Sequence, residues 1–266
     1  MYKYRLWCNA TVKKFKIIAV LPARMNSSRY PGKPLIEISG IPMIEHVRRR
    51  VLKCNYFDRV IVATCDKKIF NAIKNYGGDV VMTSNKHKMA SDRVAEVVKL
   101  IDCTHVVNIQ GDELLVVPRE INKLIRNIKK NQNIDFWNAI APINNKLELK
   151  DRNVVKCVIS NSSNLLFCTR YVNEGGNYKN IQIVYSVLGI LAFSKKGILA
   201  FSNLKRTSIE QRDSIDQMRI IQNDIILKGI KFKMAYPGIN TKDEEMNVRK
   251  ILRNDQLQKK ILKSII

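Results

Sequence analysis

The sequence contains no apolar run long enough to span a membrane, which predicts a protein without membrane insertion. Residues 1–14 carry positive charge but no continuous apolar core, so they do not have the form of a signal peptide. We expect residues 1–15 to be an extension ahead of one folded domain over residues 16–266. The six cysteines are widely spaced, without a CxxC pair. This spacing argues against a cysteine-rich metal site and favours a reducing, cytoplasmic location.

Acidic residues are scarce: 23 Asp and Glu stand against 47 Lys and Arg, which gives a formal net charge of +24. This charge raises the hypothesis of a polyanion-binding protein, because Lys and Arg that neutralise phosphates dominate nonspecific nucleic-acid binding. The basic residues form short, scattered clusters, however, and aromatic residues make up only 7% of the chain and are seldom among them. We therefore predict no nucleic-acid partner. Steeply salt-dependent binding of DNA without any nucleotide would contradict this prediction.

The most informative stretch is the polar loop from Pro22 to Leu35, which follows the apolar run Ile17–Leu21. Such a run bounded by proline is typical of a buried strand, and ligands in open α/β sheets bind at the carboxyl ends of strands. The loop carries three cations among small residues: Arg24, Arg29 and Lys33. Arginine can bind two phosphate oxygens at once and lysine acts as a point charge, so the loop suits a nucleoside triphosphate. The alternative is a solvated basic turn.

Strand and helix patterns alternate four times from the amino terminus, which predicts a mostly parallel sheet with helices on both faces. From about residue 136 to residue 195 most apolar runs have strand character, and we expect a β-rich insertion or sheet extension there, with a turn at Glu174–Asn177. The other elements expected here are a helix capped by Ser91, a helical segment over Ser208–Leu227, a strand over Lys231–Tyr236 and a last helix from Lys242.

A second polar stretch, Gln110–Glu113, follows the apolar run His105–Ile109. A carboxylate at the end of a buried strand, beside a glycine, is well placed for a divalent cation on triphosphate oxygens, since magnesium prefers one or two carboxylates with phosphates and water. Asp112 could equally be a turn residue that accepts backbone N–H bonds. Both interpretations fit this stretch when it is considered alone.

The order Pro-Ala-Arg, Ser-x-Arg and Pro-Gly-Lys-Pro-Leu resembles the signature loop of the 3-deoxy-manno-octulosonate cytidylyltransferases, which activate that sugar acid as its CMP derivative. The resemblance covers roughly Lys16 to Leu252 and implies a Rossmann-like nucleotidyltransferase fold. It also implies a homodimer formed through the β-rich insertion, a magnesium cofactor, and CTP and an acidic sugar as substrates. The product would serve lipopolysaccharide or capsule biosynthesis.

The resemblance also implies roles for individual residues. Residues 89–96 are similar to the segment of the family that contacts the nucleotide, and Gln-Gly-Asp-Glu is similar to its metal motif. Catalytic roles would belong to Lys33, Arg24 and Asp112. Nucleotide contacts would come from Leu21, Ala23, Arg24, Arg29, Lys33, Ser91 and Arg93. The sugar acid would contact Gln110, Arg170, Asp216 and Gln217, and the metal would be held by Asp112 and Asn240.

Several positions depart from the family pattern. Asn240 stands where the family has a second metal-binding aspartate, and Asp216 replaces a glutamate. Val187 and Leu191 occupy the positions of a histidine and a tyrosine around Leu-Gly-Ile. Two consequences are open: the sugar acid is a relative of the usual one, such as its 8-amino derivative or a nonulosonate, or the protein is a weakly active or inactive CTP-binding homologue.

Overall fold

The first strand is formed by the apolar run that the sequence marks, Ile17–Ala23, and all seven of its residues are buried. The structure is a computed structural model that describes residues 15–27, 29–143, 146–172 and 183–266. The extension expected over residues 1–15 therefore lies outside the described residues except for Phe15, as does the turn expected at Glu174–Asn177.

The described strands fall into one large sheet and one small hairpin. In chain order they are β1 (Ile17–Ala23), β2 (Glu37–Ile38), β3 (Ile41–Pro42), β4 (Arg59–Thr64), β5 (Asp79–Met82), β6 (His105–Ile109), β7 (Phe136–Pro142), β8 (Lys156–Ile159), β9 (Leu165–Thr169), β10 (Val184–Ser194) and β11 (Lys228–Lys231). The main path of the large sheet runs β11-β7-β10-β6-β1-β4-β5, and β2 pairs with β3 separately.

Pairing is parallel among β6, β1, β4 and β5, and again between β7 and β11. Strand β10 runs antiparallel to both β6 and β7, and its first part also pairs with β8, which in turn pairs with β9. The sheet is thus a parallel half joined to a half that contains antiparallel pairs. The carboxyl ends of β1 and β6, which pair directly, meet at one edge.

Ten helices are described. They are α1 (Met43–Leu52), α2 (Lys67–Asn75), α3 (Ala90–Leu100), α4 (Pro118–Lys130), α5 (Lys146–Lys150), α6 (Lys195–Asn203), α7 (Ser208–Asp213), α8 (Asp216–Ile221), α9 (Lys242–Asn254) and α10 (Gln256–Lys263). None of the helices in the described ranges is long and apolar enough to cross a membrane.

The core has two parts because helices cover both faces of the sheet. Along β1, Ala19 and Leu21 pack with α1, α2, α4 and α9, whereas Ile18 and Val20 pack with α3, α6 and α8. This is the period-2 alternation of a strand buried on both sides. The expectation of a mostly parallel α/β sheet with helices on both faces is confirmed. Strand β6 occupies the expected residues, and β1 extends two residues beyond the apolar run, to Ala23.

Three local predictions were wrong. Ser91 is the second residue of α3 and not its cap, since the helix begins at Ala90. The single helix expected from Ser208 breaks at Ser214, which adopts the left-handed conformation (φ 54°) between α7 and α8. The strand expected over Lys231–Tyr236 lies earlier, at Lys228–Lys231, where a Cβ on Gly229 would stand 3.0 Å from Ile140 Cδ1.

Candidate active site

The polar loop from Pro22 to Leu35, called the nucleotide loop below, is brought close to the Gln110–Glu113 stretch by the parallel pairing of β1 with β6. Gly111 permits a close approach of the two backbones, because a Cβ there would lie 2.9 Å from the carbonyl oxygen of Pro22. Real Cβ atoms do not approach backbone oxygens so closely, and a larger residue would separate the two strand ends. At the edge predicted to hold the ligand, the backbones at Pro22 and Gly111 are therefore closely packed.

The nucleotide loop is anchored at both ends. The Met25 N–H donates to Oδ2 of Asp66 at 2.9 Å, and the Met25 carbonyl accepts a 2.9 Å bond from the Gly32 N–H. Gly32 has a φ of 77°, a left-handed conformation that glycine adopts without strain, and it leads directly into a 3-10 turn at Lys33–Leu35. This turn directs Lys33 back toward the strand ends.

Lys33 is the centre of the site. Its Nζ donates to Oδ2 of Asp112 at 2.8 Å, to the Ile239 carbonyl at 2.8 Å and to Oδ1 of Asn240 at 3.2 Å. The side chains of Lys33 and Asp112 are 12% and 23% exposed, so the pair is shielded but open to a ligand. Lys33 is thus within hydrogen-bond reach of both Asp112 and Asn240, two of the residues predicted to act with it.

Arg29 connects this cluster to residues of the second half of the chain. One guanidinium nitrogen donates to Oδ1 of Asn240 at 3.1 Å, and the other donates to the side-chain oxygen of Asn153. Arg24, directly after β1, is exposed, and within the described part of the chain its side chain forms no hydrogen bond or ion pair. Arg29 thus borders the Lys33 cluster, and Arg24 follows directly on the strand that pairs with β6.

The oxygen atoms beside Lys33 suit a hard cation. Oδ2 of Asp112 and Oδ1 of Asn240 both lie within 3.2 Å of the same lysine nitrogen, and carboxylate and amide oxygens are the ligand types that magnesium takes. No group of three or more His, Cys, Asp or Glu side chains that could hold a metal occurs among the described residues. The pair therefore fits a magnesium ion that keeps water and phosphate ligands, and it does not form a complete protein cage.

Leu21 and Ala23 are buried in β1, with 0% and 6% of their surfaces exposed. Their side chains are part of the core beneath the loop. Any contact of these two residues with a nucleotide would therefore be made by the backbone.

Ser91 and Arg93 lie in the first turns of α3, and both are buried. Arg93 donates to the Thr83 hydroxyl and lies 3.6 Å from the Cys65 sulfur, so its side chain lies inside the fold and is not solvated on the helix surface. The Ser91 hydroxyl donates to Oδ2 of Asp216 at 2.5 Å. Ser91, a predicted nucleotide contact, thus bonds directly to Asp216, a predicted sugar contact.

Asp216 and Gln217 begin α8, just after the break at Ser214. Burial raises the pKa of Asp216 above its ordinary value, although the bond from Ser91 opposes this. The amide of Gln217 donates to Oδ1 of Asn138 at 2.8 Å. Asn138 is a functional candidate that the sequence reasoning missed; the signal was a lone amide in the apolar strand β7.

Arg170 follows β9 and is held by backbone carbonyl groups. Its Nε donates to the Asp213 carbonyl at 2.7 Å, and its Nη1 donates to the carbonyls of Arg152 and Asn153 at 3.0 and 3.2 Å. Burial first, and the charge of nearby Arg29 second, lower the pKa of Arg170. Two guanidinium groups close together form a positive site that suits a carboxylate.

Val187 and Leu191 flank a register irregularity in β10. Leu191 is 4% exposed and pairs with Asn108 on one side and Asn138 on the other. Both apolar residues pack on the α3, α6 and α8 face of the sheet, the face on which Asp216 contacts Ser91. The side chains at positions 187 and 191 on this face are therefore apolar, whereas the family pattern has a histidine and a tyrosine there.

The chain is similar in sequence to known cytidylyltransferases. A cytidylyltransferase family model matches residues 18–232. The 3-deoxy-manno-octulosonate cytidylyltransferase of Fusobacterium nucleatum is 31% identical over 248 residues, covering 91% of this chain and 99% of that protein. The mitochondrial 3-deoxy-manno-octulosonate cytidylyltransferase of Arabidopsis thaliana is also 31% identical, covering 91% of this chain and 85% of its own length.

Solved structures agree with the sequence relatives. A CMP:2-keto-3-deoxy-manno-octonic acid synthetase complexed with CTP superposes with a TM-score of 0.84 at 29% identity and covers 90% of this chain and 99% of its own. A 4-diphosphocytidyl-2C-methyl-D-erythritol synthase from Anaerococcus prevotii has a TM-score of 0.63 at 15% identity, over 90% of this chain and 99% of its own. The second likeness concerns the fold alone, which is that of the nucleotidyltransferases.

Proposed function

Since the chain belongs to the 3-deoxy-manno-octulosonate cytidylyltransferase family, we propose that it joins CTP to a 3-deoxy-ulosonic acid, most directly 3-deoxy-D-manno-octulosonate. The products are the CMP-sugar and pyrophosphate. The observation that carries the proposal is the cluster of Lys33, Asp112 and Asn240, which gathers a cation and two hard oxygen ligands beside a loop suited to phosphates.

In this reaction the anomeric hydroxyl oxygen of the sugar acid attacks the α-phosphorus of CTP. A phosphorus–oxygen bond forms, the bond to the pyrophosphate oxygen breaks, and the hydroxyl proton is released. Phosphoryl transfer depends mainly on positioning and charge stabilisation. Arg24, Arg29 and Lys33 supply positive charge for the triphosphate and for the charge that develops on the leaving oxygens.

A magnesium ion, when bound, would neutralise triphosphate charge, and Asp112 and Asn240 would hold it. Asn240 contributes an amide oxygen without formal charge, so the affinity for the ion should be lower than that of a site with two carboxylates. The Nζ of Lys33 contacts both of these oxygens and would turn toward the phosphates when the ligand enters.

The sugar acid would lie beside the nucleotide, between Gln110, Arg170, Asp216 and Gln217. Arg170, close to Arg29, suits the carboxylate of the sugar acid, while the amides and Asp216 suit its hydroxyl groups. The apolar Val187 and Leu191 beside these groups favour a second candidate, a related sugar acid such as the 8-amino derivative or a nonulosonate.

A homodimer through the β8–β9 hairpin forms part of the proposal. Val158, Leu166 and Phe167 on this hairpin are 37%, 55% and 40% exposed, an apolar surface that a second copy could cover. A reducing, cytoplasmic location is consistent with the five described cysteines, all of which are free thiols. The CMP-sugar would serve lipopolysaccharide or capsule biosynthesis.

The decisive experiment measures pyrophosphate release with CTP and magnesium across a panel of 3-deoxy-ulosonic and nonulosonic acids, with UTP and GTP as controls. Release with CTP and 3-deoxy-D-manno-octulosonate is the expected result, and preference for another acid would select the second candidate. No release with any acid, while CTP still binds, would refute catalysis and leave a nucleotide-binding homologue.

A further inference from the structure

Glu113, the residue after Asp112, is part of a closed ring of hydrogen bonds behind the site. The Gln110 N–H donates to the Gly189 carbonyl at 2.8 Å, and the Gly189 N–H donates to Oε1 of Glu113 at 2.7 Å. The ring closes where the Glu113 N–H donates to the Gln110 carbonyl at 3.1 Å. A side-chain carboxylate thus joins the end of β6 to the irregular part of β10.

The ring is tightly packed around Gly189. A Cβ at this position would lie 2.7 Å from Oε1 of Glu113 and 2.7 Å from Cγ of Gln110. The Gln110 side chain therefore rests directly on the Gly189 backbone. A shift of this backbone would move Gln110.

The same segment also orients a second predicted sugar contact. The Leu188 carbonyl accepts a 3.2 Å bond from the amide of Asn138, which also donates to the Ala139 carbonyl at 2.6 Å. Oδ1 of Asn138 in turn accepts the 2.8 Å bond from Gln217. Residues 188 and 189 sit inside the register irregularity between Val187 and Leu191. Gln110 directly, and Gln217 through Asn138, are thus both linked to one short piece of irregular backbone.

On its other side Glu113 borders a cavity of about 200 Å³ with mostly apolar walls, including Leu115, Leu188 and Phe232. The other charged residues that line this cavity are Arg119, Glu120 and Lys233. Among the described residues, the side chain of Glu113 forms a hydrogen bond only with Gly189 and forms no ion pair. Within this part of the chain, its carboxylate therefore accepts a hydrogen bond from the Gly189 N–H alone.

We propose that Glu113 is a positioning residue for the sugar-acid half of the site, because its carboxylate fixes the Gly189 segment that sets Gln110 and, through Asn138, Gln217. The inference rests on the proposed function, since it takes these two amides as sugar contacts. It separates two adjacent carboxylates: Asp112 serves the triphosphate and its metal, and Glu113 serves the binding of the acceptor sugar.

The kinetic test compares Glu113→Ala with Glu113→Gln, which keeps an acceptor oxygen for Gly189. Loss of this hydrogen-bond partner should raise the KM for the sugar acid about ten-fold in E113A, while the KM for CTP and the half-saturating magnesium concentration stay near wild type. E113Q should restore most of the sugar KM. Glu120→Ala is the matched control, because Glu120 lines the same cavity but bonds to the Lys233 N–H.

Equal increases in both KM values, or unchanged values, in E113A would overturn the proposal. So would E113Q behaving like E113A, since the hydrogen bond would then not be the operative contact. If E113A fails to fold by circular dichroism, Glu113→Asp replaces it. That variant keeps the charge but is too short to reach Gly189, and the same outcomes apply.

Amide hydrogen exchange supplies a readout that needs no turnover. Exchange at Gln110 and Gly189 should accelerate in E113A and remain at the wild-type rate in E113Q and E120A. Unchanged exchange in E113A would refute positioning even in an active enzyme. If wild-type protein releases no pyrophosphate with any acid, the proposed function fails, and the exchange data still decide whether Glu113 fixes the segment.

Discussion

The Nζ of Lys33 lies 2.8 Å from Oδ2 of Asp112, so the nucleotide loop and the end of β6 are joined by an ion pair at the centre of the site. The same nitrogen holds the Ile239 carbonyl and the Asn240 side chain. A triphosphate and its metal would compete with these contacts. The charge of Lys33 is therefore balanced by that of Asp112.

Replacing Lys33 by Ala should lower kcat by about 100-fold or more, because one preorganised charge on the transferring group is lost. Pyrophosphate release at saturating CTP and sugar acid measures the effect. Lys33→Arg keeps the charge with a different shape and should retain more activity than the alanine variant. Near-normal turnover by K33A, with circular dichroism unchanged, would remove Lys33 from the mechanism.

Replacing Asn240 by Asp should lower the half-saturating magnesium concentration several-fold, because a charged oxygen replaces a neutral one beside Asp112. Titration of activity with magnesium, and calorimetric titration of the CTP-bound protein, both measure this change. Asn240→Ala is the matched control and should shift the concentration in the opposite direction. An Asp variant with unaltered magnesium dependence would place the ion elsewhere.

Protein stability should depend on pH through Glu113. Burial, with a smaller contribution from Asp112, raises the pKa of Glu113 to about 7. Because the pKa in the folded state lies above the unfolded value, the contribution of Glu113 is most favourable below about pH 4.5 and is lost as the pH rises toward 7. The expected loss is at most about 3 kcal/mol.

Urea unfolding of wild type and E113Q across pH 4.5–8 measures this contribution, since the variant cannot ionise at this position. E113Q should gain stability relative to wild type as the pH rises, with no further gain above about pH 8. A constant difference between the two proteins over the whole range would show that the Glu113 carboxyl has an ordinary pKa.

Removing the Arg219 side chain should destabilise the fold by about 3–5 kcal/mol, because the buried carboxylate of Glu210 would lose its main partner. Arg219 is 2% exposed and contacts Glu210 at 2.5 and 2.8 Å and Asp92 at 3.0 Å. Its guanidinium carbon also lies 4.1 Å from the centre of the Phe201 ring. Chemical denaturation of Arg219→Met measures the loss.

Arg59→Ala is the control for this comparison. Arg59 pairs with Asp79 at 2.7 Å, but the two side chains are 45% and 38% exposed, and exposed pairs contribute about 0–1 kcal/mol. Equal losses in the two variants would mean that burial does not govern the strength of these pairs.

The sequence pattern was sufficient to predict the parallel half of the sheet, and the family resemblance named the residues that lie around Lys33. The early strands consist mainly of apolar residues and end at turn residues, and β6 occupies its predicted residues, His105–Ile109. The proximity of Lys33 and Asp112 followed from the rule that the carboxyl ends of parallel strands share one edge. These features depend on local pattern and general topology.

Other features depend on tertiary packing and could not be predicted locally. Ser91 precedes a helical pattern as a cap would, but its hydroxyl bonds to Asp216, 125 residues later. The helix break falls at Ser214, which has a positive φ although it is not glycine, so no residue type typical of a helix end marks it. Gly229 disfavours a strand by propensity, yet β11 includes it because neighbouring side chains leave no space for a Cβ.

Arg29 links residues that are far apart in the chain: Asn153 is 124 positions away and Asn240 is 211. A site with such high contact order can be completed only late in folding, after the carboxyl-terminal third of the chain has been synthesised and docked. CTP should therefore bind the fully folded protein and should not bind partly folded chains. By mass action, CTP would then protect mature protein from proteolysis without rescuing incomplete or misfolded chains.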